Sequence, residues 1–151
     1  MAPDRVQARL RLMATTDLHA QILPYDYYAD APTAAGGLAQ IAGLVRMLRR
    51  SAPNTLLFDN GDFVQGNPLA DLAAGAGRAD PHPVVAAMNA LGYDAGTLGN
   101  HEFNYGLGLL DKIRAEAAFP LVLANLAEGG APVRPWALLD RVLTDTAGRD
   151  W

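Results

Sequence analysis

The chain has 151 residues, enough for one domain or one piece of a larger domain; half of them are hydrophobic and the formal net charge is −4. It contains no cysteine, which excludes disulfides, thiolate zinc sites and cysteine nucleophiles. Basic residues are scattered apart from a cluster at 46–50, and no apolar run approaches the roughly 20 residues of a transmembrane helix. We therefore expect neither a nucleic-acid polymer nor a membrane as a partner.

Hydrophobic periodicity predicts strands that alternate with helices. In chain order, the predicted strands are 6–14, 55–59, 95–98 and 121–126, the predicted helices are 37–50, 83–91 and 106–118, and 20–36 is predicted to be a loop. Residues 136–144 are predicted to form a strand of an antiparallel hairpin. The alternation of strand and helix predicts an α/β fold with helices packed on a sheet.

Polar side chains follow three of the predicted strands. Asp17 and His19 come where the first strand ends, Asp62 follows the second, and Asn100 and His101 follow the third. Taken singly, each pattern also fits ordinary loop and turn residues. In open α/β sheets, however, ligands gather beyond the carboxyl ends of the strands. Three polar clusters at that edge, roughly 40 residues apart in sequence, therefore predict one shared site.

The residue types at these positions suit metal-dependent chemistry. The two oxygens of Asp62 allow it to bridge two cations, and Asn100 offers a neutral amide oxygen. His101 can donate a proton to a leaving group. Mixed nitrogen and oxygen ligands suit Mn, Co, Zn or Fe.

In their order and spacing, the three motifs resemble the signature of the calcineurin-like metallophosphoesterases. Segments 15–19, 59–62 and 99–103 are similar to the branch that contains the bacterial 5′-nucleotidases. Segments 26–28, 32–33, 65–69, 82–84 and 87–89 are similar to the 2′,3′-cyclic-nucleotide 2′-phosphodiesterase/3′-nucleotidases. The resemblance covers about residues 10–142 and implies the metallophosphoesterase-type α/β-β/α sandwich.

The resemblance implies an enzyme that hydrolyses nucleotides with two divalent ions about 4 Å apart. Asp17, His19 and Asp62 would hold the first ion, and Asp62 and Asn100 would begin the second site. A hydroxide between the metals would attack phosphorus, while His101 stabilises the transition state or protonates the departing ribose oxygen. The substrates would be 2′,3′-cyclic nucleotides and 3′-nucleotides.

Three residues after His101, the 5′-nucleotidases place an Asp that orients and charges the imidazole. Here that position is Asn104, as in the cyclic-phosphodiesterase branch. We therefore count Asn104 with His101 as catalytic. Because an amide cannot stabilise imidazolium by charge, we expect His101 to be a weaker base and a readier acid than in an Asp-paired dyad.

The later histidine blocks of the family signature are absent, since the chain has only three histidines. We therefore expect residues 1–151 to be the N-terminal part of a metallophosphoesterase catalytic domain, with the C-terminal half and the nucleotide-binding domain missing. Two alternatives stay open: a 5′-nucleotidase, disfavoured by Asn104 and segment 26–28, and a non-catalytic metal- or partner-binding fragment. The resemblance implies a periplasmic or cell-surface location, although the start shows no signal-peptide pattern.

Three other polar residues are predicted to have supporting roles. Asp59 is expected to accept hydrogen bonds at a strand end, and Glu102 is expected to be structural. His82, which precedes Pro83, is expected to begin a helix.

Overall fold

The computed structural model describes residues 6–75, 80–126 and 133–151, in which helices pack on a parallel sheet. In chain order the elements are β1 (Arg11–Thr15), β2 (Tyr25–Asp26), β3 (Ala31–Pro32), α1 (Leu38–Ser51), β4 (Thr55–Asp59), α2 (Pro68–Ala74), α3 (Pro83–Leu91), β5 (Ala95–Thr97), a 3-10 turn (His101–Phe103), α4 (Leu107–Glu116) and β6 (Leu121–Val122). The α/β class is as the sequence predicts.

The four-stranded sheet has the order β1-β4-β5-β6, and every pair in it is parallel. Thr15 lies opposite Asp59, which in turn lies opposite Gly96. The carboxyl ends of β1, β4 and β5 therefore meet at one edge. The segments that follow these strands carry the polar motifs, so the topology alone brings the motifs close together.

The three longer helices cover one face of the sheet. α1 packs against α3 and α3 against α4, as expected when each right-handed crossover adds the next strand on the same side. Leu57, Met88 and Leu110 are at most 1% exposed in the core beneath these helices, whereas Leu12 in β1 is 64% exposed. A hydrophobic core on one face of the sheet thus supports the edge at which the polar motifs meet.

The predicted helices agree with the structure to within two residues at each end. α3 begins with Pro83 in its first turn and ends at Leu91, and the following Gly92, with a φ of 69°, caps the helix in the left-handed conformation. His82 occupies the N-cap position, as expected, and its ring is buried without a hydrogen-bond partner among the described residues. Burial lowers the pKa of His82, which favours the neutral ring.

The strands differ more from the prediction than the helices do. The strand 55–59 is confirmed, but β1 begins only at Arg11, because its partner begins at Thr55. The strand expected at 121–126 is reduced to Leu121–Val122, since β5 has only three residues to pair with. The loop expected at 20–36 contains the two-residue strands β2 and β3, paired as a small hairpin.

The hairpin strand expected at 136–144 was wrong. Only Thr144 forms an antiparallel bridge, to Asp150, and the preceding residues have no strand structure. Leu138 is 79% exposed, so the alternating hydrophobic pattern of this segment does not reflect a buried strand face. Instead, the Arg141 guanidinium holds the segment to Asp94, with Nη2 2.8 Å from the carboxylate.

The sequence prediction also missed α2. This seven-residue helix begins after Asn67, whose side-chain oxygen accepts a hydrogen bond from the Ala70 N–H at 3.2 Å. None of the helices in the described ranges is long and apolar enough to cross a bilayer.

Candidate active site

Hydrogen bonds join the three segments that follow β1, β4 and β5. The N–H groups of Asp17 and His19 donate to the carbonyls of Gly61 and Asp62, at 3.0 and 2.9 Å. From the third segment, the His101 N–H donates to Asp62 Oδ1 at 3.0 Å. The structure therefore brings these four predicted site residues together at one edge of the sheet.

The backbone of the site is unusual because several non-glycine residues have positive φ. The values are 54° for Asp17, 47° for His19, 56° for Ala20 and 61° for Asp62. An L-residue in this conformation costs about 1–2 kcal/mol. Such conformations cluster at functional sites, where the surrounding structure holds side chains in orientations that relaxed backbone would not give.

The carboxylate of Asp62 lies directly against the backbone of the segment after β5. A Cβ added to Gly99 would lie 2.2 Å from Asp62 Oδ1, and one added to Gly61 would lie 2.5 Å from the Gly99 nitrogen. Both distances are far below van der Waals contact. Glycine is therefore required at both positions for Asp62 to reach its place.

Glu102 is fully buried and holds two of the segments together. Its Oε2 accepts from the N–H groups of Asp62 and Gly99 at 2.8 and 2.6 Å, and its Oε1 accepts from Phe63 and Val64 at 2.7 and 3.2 Å. One carboxylate thus satisfies four backbone donors. These contacts give Glu102 the structural role that the sequence predicts.

His19 and Asp17 form a solvent-accessible pair of potential metal ligands. His19 Nδ1 lies 2.8 Å from the Gln65 carbonyl, and because a carbonyl only accepts, Nδ1 carries the proton. The lone pair of the neutral ring is therefore on Nε2, which lies 3.7 Å from Asp17 Oδ1. The side chains are 38% and 55% exposed, so both are accessible to an ion. This arrangement is typical of a metal-binding histidine, whose other nitrogen is held by a carbonyl.

His101 lies next to this pair and shares its anchor. The rings of His19 and His101 meet edge to face, with centroids 5.1 Å apart. His101 Nδ1 lies 2.7 Å from Gln65 Oε1 and 3.0 Å from Asn104 Nδ2, and Asn104 also hydrogen-bonds to Gln65 Oε1. Asn104 is therefore adjacent to His101.

Asn100, the fourth predicted metal ligand, lies at the surface of the site. Asn100 is exposed at the start of the 3-10 turn and makes no capping hydrogen bond with its side chain. Within the described ranges, no group of three or more His, Asp or Glu side chains is arranged so as to hold one ion. Of the predicted ligands, Asp17 and His19 thus form one neighbouring pair.

Sequence reasoning missed Gln65 as a site residue. Its segment was noted only for its family resemblance, and a glutamine in a loop gives no signal of its own. Its contacts with His19 and His101 arise because the segment between β4 and α2 folds back across the ends of the strands.

Asp59 is buried at the end of β4, only 3% exposed. It accepts hydrogen bonds from Thr15 Oγ1 at 2.6 Å and from the Gly61 N–H at 2.9 Å, as expected of a supporting residue. Burial raises the pKa of Asp59 to about 6, against the lowering effect of these bonds. Since the folded pKa exceeds that of the unfolded chain, ionisation opposes folding, and stability falls as pH rises from about 4 to about 6.

We expect Asp59→Asn to stabilise the metal-free chain at pH 7.5 by on the order of 1–3 kcal/mol and to have little effect at pH 4. An asparagine can still accept from Gly61, and Thr15 can turn its hydroxyl toward Tyr93, 2.8 Å away. Urea unfolding in EDTA at the two pH values measures the effect. Asp111→Asn, which removes an exposed ion pair with Arg114, is the control and should change stability by less than about 1 kcal/mol. An equal effect of Asp59→Asn at both pH values would contradict the expectation.

Comparison with known proteins places the chain among phosphoesterases. The calcineurin-like phosphoesterase family model matches residues 10–149. The trifunctional nucleotide phosphoesterase protein YfkN of Bacillus subtilis is 47% identical, over 95% of this chain and 10% of that protein. The 2′,3′-cyclic-nucleotide 2′-phosphodiesterase/3′-nucleotidase of Haemophilus influenzae is 40% identical, over 99% of this chain and 23% of that protein.

The fold comparison agrees with the sequence comparison. The crystal structure of calcineurin-like phosphoesterase YfkN from Bacillus subtilis matches with a TM-score of 0.87 at 46% identity, over 96% of this chain and 46% of that one. The chain spans between about a tenth and a quarter of the length of the curated relatives it matches.

Proposed function

Because this chain belongs to the calcineurin-like phosphoesterase family, we propose that it acts on nucleotides, as the N-terminal part of a 2′,3′-cyclic-nucleotide 2′-phosphodiesterase and 3′-nucleotidase. Phosphoester hydrolysis is the activity of the family. The observation that best supports the proposal is the pairing of Asp17 with His19 beside the ring of His101, which puts metal donors next to a proton donor. In the proposed complete enzyme, the C-terminal half supplies the remaining ligands and the nucleotide-binding domain.

The residues present fit a pair of divalent ions in their chemistry. In the proposal, Asp17, His19 and Asp62 hold one ion, and Asp62 and Asn100 contribute to the second. The fixed Nδ1–H of His19 supports this assignment, since it leaves Nε2 as the ligand atom. When bound, Mn, Co, Zn or Fe would supply positive charge to the phosphoryl oxygens and activate a water molecule.

The protein's own groups then bind and orient the ester. His101 in its imidazolium form donates the proton of Nε2 to the departing ribose oxygen and becomes a neutral ring, since its Nδ1 contacts Gln65 and its Nε2 remains for the substrate. The net charge of −4 opposes binding of an anionic nucleotide, and cations at the site would offset this repulsion.

The proposed substrate class rests on Asn104. This amide neighbours His101 where a 5′-nucleotidase is expected to have a carboxylate, so 5′-nucleotidase activity is the second candidate and not the first. We further propose a periplasmic or cell-surface location, where extracellular nucleotides would be the source of substrate.

The first test is metal binding and turnover by this chain. We expect Mn²⁺ to bind, measured by titration calorimetry, and Asp17→Asn to weaken binding at least about tenfold. With Mn²⁺ or Co²⁺ added, we expect hydrolysis of bis(4-nitrophenyl) phosphate and of 2′,3′-cyclic AMP. The matched control is Asp111→Asn, which also replaces a carboxylate by an amide but in the ion pair with Arg114 on α4. It should alter neither result.

The outcomes separate the alternatives. Binding without turnover would identify a metal-binding fragment that requires the rest of the enzyme. If the chain hydrolyses 5′-AMP faster than 3′-AMP, a 5′-nucleotidase would replace the cyclic-nucleotide phosphodiesterase/3′-nucleotidase as the proposed function. A folded chain that does not bind any of the four metals would overturn the metal assignment.

A further inference from the structure

Three consecutive residues, 65–67, contact His19 at three different places. The Gln65 carbonyl lies 2.8 Å from His19 Nδ1. Gly66 packs so closely on the side chain that an added Cβ would lie 2.5 Å from His19 Cβ and 2.9 Å from its Cγ. Asn67 donates from Nδ2 to the His19 carbonyl at 3.0 Å. The segment between β4 and α2 thus touches the ring, the side-chain stem and the backbone of this predicted metal ligand.

The backbone of His19 has a conformation that the residue would not keep without outside contacts. Its φ is 47°, in the left-handed region, which is unfavourable for a residue with a Cβ. The His19 N–H donates to the Asp62 carbonyl at 2.9 Å, and the His19 carbonyl accepts from Asn67. Both backbone polar groups are therefore held by other loops. Release of either group would let φ relax to a negative value and carry the imidazole with it.

The side-chain amide of Asn67 is fixed in one orientation by its other partners. Asn67 is only 6% exposed, and as the N-cap of α2 it accepts at Oδ1 from the Ala70 N–H at 3.2 Å. Gln21 Nε2 donates to two backbone carbonyls, so Gln21 Oε1 faces Asn67 and accepts from its Nδ2 at 3.3 Å. The amide nitrogen of Asn67 is therefore directed at the loop that carries His19.

Gly66 is required by its contact with His19. Its φ is 147°, a conformation that glycine adopts readily and other residues rarely do. A methyl group at this position would overlap the His19 side chain. The imidazole would have to move away from Gln65 and from the ring of His101, which it meets edge to face with centroids 5.1 Å apart.

We propose that Gly66 and Asn67 are positioning residues that hold the His19 imidazole where it can ligate a divalent metal ion. Both act through His19 and not on the substrate itself. Gly66 sets where the ring lies, and Asn67 keeps the backbone of His19 in its left-handed conformation. The metal part of this proposal rests on the proposed function; the positioning of the ring does not.

Gly66→Ala tests the contact with the side chain. In the metal-free chain we expect a nuclear Overhauser effect between the ring protons of His19 and His101, and we expect the variant to lose it. Calorimetric titration should show Mn²⁺ affinity weakened at least about tenfold. Gly148→Ala is the matched control, since Gly148 also has a positive φ, 80°, but among the described residues an added Cβ would meet no atom within 4 Å beyond its chain neighbours. It should change neither readout.

Asn67→Ser separates capping of α2 from the contact with His19. Serine caps helices as well as asparagine does but has no amide N–H group, so we expect a folded variant with a weaker ring contact and about tenfold lower Mn²⁺ affinity. Asn89→Ser is the matched control. Asn89 Nδ2 donates to the Glu116 carbonyl and its Oδ1 accepts from the Ala118 N–H, both at 2.8 Å, where α3 meets the end of α4. It should leave both readouts unchanged.

An unchanged ring contact in either folded variant would overturn the proposal, as would equal effects in the two controls. A displaced ring with unchanged Mn²⁺ affinity would also overturn it, because the contacts would then not serve metal binding. If circular dichroism shows that Gly66→Ala does not fold, Asn67→Ser alone decides. A wild-type chain that has the ring contact but no affinity for Mn²⁺ would count against the proposed function and not against the positioning of His19.

Discussion

Glu102→Leu is expected to lower the free energy of unfolding by about 3–5 kcal/mol, because four backbone N–H groups lose their acceptor in a buried place. Leucine fills a similar volume, so little of the loss comes from an empty cavity. The isolated cost of an unsatisfied buried donor is about 1–3 kcal/mol. We expect less than the sum of four such costs, since water or small shifts of the loop would satisfy some of the donors.

Glu102→Gln separates hydrogen bonding from shape. It keeps the shape but places an amide NH2, which cannot accept, against two of the four donors, and should destabilise the chain by about 2–3 kcal/mol. The control is Glu116→Gln, since Glu116 accepts from one backbone N–H, that of His82, and from Lys112. Its effect should be about 1 kcal/mol. Urea unfolding of all three variants measures the differences, and equal effects of the two Gln variants would refute the role assigned to Glu102.

His101→Ala is expected to reduce kcat for 2′,3′-cyclic AMP by about 10²–10⁴-fold relative to the wild-type chain with the same metal. The reason is that the ribose oxygen is a poor leaving group and depends on a proton. Mn²⁺ affinity should change little, because the proposed ligands are unaltered. The same substitution should matter less for bis(4-nitrophenyl) phosphate, whose leaving group departs readily without a proton.

Steady-state kinetics with both substrates, together with calorimetric titration of Mn²⁺, measure this prediction. Asn104→Ala is a useful comparison, since it keeps the imidazole and removes only one of its neighbours. An equal loss with both substrates would mean that His101 does not act by protonating the leaving group. A loss that follows reduced Mn²⁺ affinity would mean that it acts on the metal site.

The fold was predictable where local sequence decides it. α3 has Pro83 at one end, Gly92 at the other and apolar residues on one face, so both its limits could be predicted. The start of β1 could not be predicted from local sequence, because β1 begins at Arg11, opposite Thr55, where the neighbouring strand begins. α2 was missed because seven residues give too short a periodic signal.

The site was predictable to the extent that parallel strands deliver their following loops to one edge. The positions of Asp17, His19 and His101 near one another could be expected from that rule alone. The contacts of Gln65 and Glu102 could not, since each joins residues about 40 positions apart through side-chain to backbone or side-chain to side-chain bonds. The catalytic and metal-binding roles stay predictions.

The shared carboxylate of Glu102 also has a consequence for motion. The N–H groups of Asp62, Val64 and Gly99 belong to two loops, yet none of them can open without breaking a bond to the same side chain. Opening of the 62–64 segment therefore uncovers the carboxylate that also accepts from Gly99. These amides should behave as one cooperative unit, whose exchange with solvent is governed by a single opening event.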